Sequence, residues 1–181
     1  MLPSVATPLL AALVASWVAL LLHELAHSAA AEVVGVRIWG MRLGIGPTIW
    51  KGNFNGRQIQ IGALPFLGTV QLLDEDAGAI GYRDIVSGRW RFEWGPQAWR
   101  ASVISVAGGL SNLFGMLLFL ATWELGGQPR MGSFMGDLLL FGILINLSGY
   151  LNLFPVSRSD GGHLLAQLYA AKLLRPVQAT S

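Results

Sequence analysis

His23-Glu24-Leu25-Ala26-His27 sets two imidazoles four residues apart, with a carboxylate beside the first. On an α-helix, residues four apart share a face, so both rings reach toward one point. That geometry suits Zn²⁺, and the adjacent Glu24 suits a general base acting on an activated water. The five residues follow an apolar run, Val5 to Leu22, that carries no charge. A carboxylate and a metal site at membrane depth are costly, which points to chemistry. The chain has three histidines, and two of them stand here. The expected chemistry is metal-assisted hydrolysis of a peptide bond within a bilayer.

Two histidines do not complete a catalytic zinc site, which ordinarily takes three protein ligands and keeps one position open. The chain has no Cys, so thiolate ligands and a disulfide framework are excluded. Candidates for the third ligand must lie at the depth of His23. Asp160 is the first candidate. His163 competes, since imidazole is the commoner zinc ligand, and Glu32 stands further along the first helix as a weaker choice.

The elements that must position these groups belong to a membrane protein. Of 181 residues, 53% are hydrophobic and only 12% charged, with a mean hydropathy of +0.53. Soluble domains carry about 25% charged residues. The expected fold is mainly α, one intramembrane domain over 1–181. Its spans are expected at about 5–32, 101–123 and 138–156, each near the ~20 residues that cross ~30 Å of hydrocarbon. Residues 38–73 read as a β-hairpin or small sheet around the turn Asn53-Phe54-Asn55-Gly56, buried against the membrane face of the protein. Residues 82–100, with Trp90, Trp94 and Trp99, read as an interfacial segment. Residues 161–175 read as a short amphipathic helix.

Lysine and arginine set the expected orientation. Eight lie between the first two spans, three follow the third, and one, Arg130, lies between the second and third. The N-terminus is then outside and the C-terminus cytoplasmic, with the site near the cytoplasmic side. The basic residues are dispersed, so no nucleic-acid partner is expected; the lipid bilayer is.

Beyond the first motif, Gly108-Gly109-Leu110-Ser111-Asn112 falls in the second span, and Asn152-x-x-Pro155 followed by Asp160-Gly161-Gly162 closes the third. In order and spacing these three motifs resemble the site-two protease family of intramembrane zinc metalloproteases, and the likeness covers essentially the whole chain. The resemblance implies one catalytic zinc held by His23, His27 and Asp160, with Glu24 as catalytic base. It also implies that Asn112 and Asn152 help hold substrate near the metal. Two positions depart from the family pattern: Gly109 stands where Pro is frequent, and Ser159 where Leu often precedes the ligand Asp. Only about a dozen residues, Glu124 to Asp137, join spans two and three, where some members carry PDZ domains. No CBS-type domain follows either, so a minimal core is expected, with any regulator a separate subunit.

Two other readings compete. One is a non-catalytic membrane adaptor that retains the protease fold; the intact motif argues against it. The other is a zinc transporter, which needs polar residues along a path, whereas here they gather at one depth. The resemblance suggests single-span membrane substrates such as anti-sigma factors, membrane-tethered regulators or remnant signal peptides; the compact size and expected orientation point to a prokaryotic plasma membrane.

Overall fold

The computed structural model describes residues 5–73, 79–83, 90–94, 98–154, 160–162 and 164. The apolar segments form α1 (Ala6–Val33), α2 (Ala98–Leu125) and α3 (Phe134–Leu151). All three are long and apolar enough to cross a bilayer, and each packs against the other two. The chain is thus a mainly α integral membrane protein, with a small antiparallel sheet after its first helix.

Small residues let the helices approach. On α1 the inward face is one row at four-residue spacing: Ala11, Ala15, Ala19, His23, His27 and Ala31. Leu9, Leu13, Leu21 and Leu25 point outward and are exposed, as a lipid-facing surface requires. Without a hydrophobic drive between helices in lipid, close packing of small residues carries association. Gly115 of α2 lies against the Asn146 side chain of α3, and Gly142 of α3 against the Phe119 ring of α2. A side chain at either glycine would force these helices apart.

α1 stops where Gly35 adopts a left-handed φ of +73°. The Val34 N–H donates to Ala30 O and the Val36 N–H to Ala31 O, which satisfies the last turn's carbonyls. Val36 then turns inward and joins Ala31, Ile38, Ala101 and Ile104 in a small apolar cluster. This cluster ties the end of α1, the start of the sheet and the start of α2 together.

The third helix begins four residues earlier than the expected span and ends five residues sooner. Ser133 caps it, its hydroxyl accepting from the Gly136 N–H at 3.1 Å. Asp137, which reads in sequence as a charge outside the span, is a first-turn acid that also accepts from the Gly132 N–H. Past Leu151 the chain turns, and the Gly161 N–H donates to Asn152 O at 3.0 Å. That bond brings Asp160 back to the end of α3.

The sheet after α1 comprises β1 (Ile38–Phe54) and β2 (Arg57–Leu72), joined through Asn55 and Gly56. Both turn residues have positive φ, 51° and 78°, the pair a tight hairpin demands. The strands carry several register shifts. Through them, Gly40–Leu43 meets Gln58–Ile61 on one side and Gly68–Gln71 on the other. The segment 68–72 is therefore a margin of the sheet, and it is the part nearest the site. The hairpin runs along α1: Arg57 donates to Glu32 at 2.6 Å, Gly68 abuts Glu24, and Gly44 abuts Trp17. Glu32, the weaker candidate ligand, is thereby committed to Arg57.

The segment read as interfacial, 82–100, overlaps an antiparallel hairpin not expected from the sequence, β3 (Ala79–Arg83) with β4 (Trp90–Trp94). The strict alternation Trp90-Arg91-Phe92-Glu93-Trp94 is a strand's period of two. Of the tail helix expected at 161–175, only residues 161, 162 and 164 are described; the rest, with His163, lies outside the described residues.

Candidate metal centre

His23 and His27 leave α1 on the same face, one turn apart, with ring planes nearly perpendicular at 87°. Their Nε2 atoms are 3.0 Å apart. Asp160 Oδ2 lies 3.4 Å from His23 Nε2 and 3.7 Å from His27 Nε2. Three ligand atoms at ~2.05 Å from a tetrahedral ion stand ~3.3 Å from one another. The observed triangle has that size. Among the described residues, this is the group of three whose ligand atoms converge closely enough to hold a metal ion.

Each ligand is steadied by a partner. His27 Nδ1 lies 2.6 Å from Ile104 O. A carbonyl only accepts, so the Nδ1–H donates and Nε2 is left with its lone pair facing the other two ligands. His23 Nδ1 lies 2.8 Å from the Asn112 amide. Asn152 Nδ2 donates to Asp160 Oδ2 at 2.8 Å. Burial works against a charged Asp160, yet where the imidazoles carry a proton on Nε2 their hydrogen bonds and charge outweigh it and hold the carboxyl well below its usual range.

On α2 the partners form a row of their own: Ile104, Gly108 and Asn112, four residues apart. Gly108 lies against both imidazoles. Any side chain there would occupy the space of the rings. Gly149 of α3 plays the same part for the Asn112 amide.

Glu24 is 3% exposed, and its Oε2 has no hydrogen-bond partner. A buried carboxylate oxygen without a partner is expensive and is retained where chemistry uses it. The backbone of Gly68 passes directly over this carboxylate, a position only glycine fits. Glu24, both histidines and Asp160 open on one cavity of about 800 Å³. Its walls come from α1 (Ser16, Leu20), β2 (Pro65 to Val70), α2 (Ile104, Asn112) and α3 (Ile145, Ser148, Asn152).

Every site residue expected from sequence is thus gathered here: His23, Glu24, His27, Asp160, Asn112 and Asn152. The two asparagines each spend an amide end on a ligand. Sequence reasoning missed the Ile104 carbonyl, a backbone group without a residue signature, and the clearing roles of Gly68 and Gly149. Gly108 was visible only as part of a motif.

The sequence pattern of peptidase family M50 matches residues 11–136. The match contains both histidines, Glu24 and Asn112 and stops before Asp160, which the fold supplies. A protein of Chlamydia pneumoniae, named as an inferred zinc metalloprotease, is 31% identical over 115 residues, 61% of this chain and 18% of that relative. One from Chlamydia trachomatis serovar D, similarly named, is 30% identical over 146 residues, 67% of this chain and 23% of the relative. A third, from Xylella fastidiosa, is 31% identical over 104 residues, 57% and 22%. The chain spans under a quarter of the length of these curated relatives. The family match covers well over half of the chain, so this protein belongs to peptidase family M50, the site-two protease family that its motifs resemble.

Proposed function

We propose that the protein is an intramembrane zinc endopeptidase that cleaves a peptide bond in or near the transmembrane segment of a membrane protein. The observation that carries this reading is the convergence of His23, His27 and Asp160 beside a buried Glu24 whose Oε2 has no hydrogen-bond partner, inside a largely apolar cavity between candidate spans. The naming of relatives as zinc metalloproteases supports it.

In this reading His23, His27 and Asp160 hold one zinc ion. When bound, zinc supplies Lewis-acid polarisation of the scissile carbonyl and makes the attacking water more acidic. Glu24 takes the water's proton and passes it to the leaving amine. Its unpartnered oxygen is the atom available for that proton. A substrate helix hides its peptide bonds, so it must unwind before cleavage. The 68–72 margin of the sheet lines the cavity and offers main-chain groups to an extended substrate by strand addition. Asn152 and the second amide end of Asn112 are placed to meet substrate backbone groups freed by unwinding, which are costly to leave bare in hydrocarbon. The substrate is a single-span membrane protein, of the class of anti-sigma factors, tethered regulators or remnant signal peptides. The distribution of Lys and Arg supports an N-terminus outside a prokaryotic plasma membrane and a cytoplasmic C-terminus.

The test is cleavage of a panel of single-span model substrates by zinc-loaded protein in liposomes. Wild type should cut at least one within its membrane segment, and Glu24→Gln should cut none. Equal cutting by both proteins would remove Glu24 from the chemistry.

A further inference from the structure

Asn112 is 3% exposed and sits two turns along α2 from Ile104. Ile104 holds His27 through a carbonyl at 2.6 Å. Asn112 meets His23 at the equivalent ring atom, Nδ1, at 2.8 Å. The two outer partners thus come from one row of one helix and meet the same ring atom of the two histidines; Ile104 offers a carbonyl acceptor, whereas the Asn112 amide is set with Nδ2 toward the ring. The amide has little freedom to do anything else with that end, because the Gly149 backbone of α3 closes over it.

We propose that Asn112 is a positioning residue for the metal centre: it fixes the orientation of the His23 ring so that Nε2 faces His27 and Asp160. This rests on the zinc reading above. An amide serves both states of the ring. Its Nδ2 donates to a bare Nδ1, and after a flip its Oδ1 accepts from Nδ1–H. The second arrangement is the one a ligating Nε2 needs, since the proton then resides on Nδ1. An aspartate of the same shape can support only that second arrangement. A leucine of similar bulk supports neither.

These properties define the experiment. Zinc affinity of the full chain in detergent is measured by competition with a chelating dye for wild type, Asn112→Leu and Asn112→Asp, with the absorption of Co²⁺-loaded protein as a report on ligand geometry. Asn112→Leu should bind zinc about 10–100-fold more weakly, the usual cost of losing an outer-shell partner, and its cobalt spectrum should change. Asn112→Asp should restore both. The inference is overturned if Asn112→Leu binds zinc like wild type and only raises KM, which would make Asn112 a substrate contact. It is equally overturned if both variants lose zinc alike and the metal-free proteins unfold at lower temperature, which would make Asn112 a packing residue. If wild type binds no zinc, the enzyme reading itself falls, an outcome visible before any variant is compared.

Discussion

Glu24 and the histidines share one helical turn, yet their substitutions should separate cleanly. Glu24→Gln keeps the shape and removes only the proton acceptor. Cleavage should drop by at least ~100-fold, the low end for a general base, while elemental analysis still finds one zinc per chain. Gly108→Val should do the reverse. Its side chain would occupy the space of both imidazoles, so zinc content should collapse even though no ligand is altered. At this scale the sequence was most legible. An i, i+4 histidine pair on a helix is a geometric statement in itself, and Asp160 came first, ahead of His163, through its expected depth and the family resemblance. What stayed hidden was carried by the backbone or by missing atoms: the Ile104 carbonyl leaves no residue signature, and Gly68 looks like any other turn glycine until Glu24 is seen beneath it.

At the scale of elements, the hairpin β1–β2 was legible in its turn, Asn55-Gly56, and in its extent, 38–73, but not in its internal register. Its strands run to 17 and 16 residues because register shifts let one chain segment pair on both sides, and bulges have no simple period. β3–β4 was missed for a different reason. Its tryptophans and arginines fit a membrane interface as well as a strand, and composition outweighed the alternation. The start of α3 was missed because Asp137 looked too polar for a span, whereas it belongs to a capped first turn. The margin of β2 over Glu24 yields an element-scale prediction. Gly68→Val should push the strand off the carboxylate and abolish cleavage, with zinc content and α-helical circular dichroism unchanged. In the helices, Gly142→Leu drives a side chain into Phe119 and should lower stability by about 1–3 kcal/mol, the common cost of overpacking, seen in detergent-dependent unfolding.

For the whole molecule, the three apolar helices were readable from hydropathy and the sheet after the first from its turn, whereas the laying of that sheet along α1 was not. The absence of Cys makes its orientation directly measurable. Asn53→Cys, on β1 beside the β1–β2 turn, should react with a membrane-impermeant maleimide only from the cytoplasmic side. Gln128→Cys, between α2 and α3, should react only from outside. The opposite pattern would invert the proposed topology and move the site to the other leaflet.

The row of Ala11, Ala15, Ala19, His23, His27 and Ala31 on α1 also has a mechanical side. A helix that packs through alanines at equal spacing can slip by one turn, ~6 Å at 1.5 Å per residue, and present alanine again at the levels of Ala15 and Ala19. The alanine contacts at those two levels hardly tell the settings apart, though Gly44 against Trp17 and the cluster around Ala31 favour the one observed. The two histidines tell them apart, because only one setting brings them opposite Asp160. A metal ion at a hundredfold excess over its Kd adds ~2.7 kcal/mol to the setting it binds, enough to act as a detent on a ratchet. Spin labels on α1 and α3 should therefore report a broader distance distribution in chelated protein, narrowing to a single value when zinc is restored.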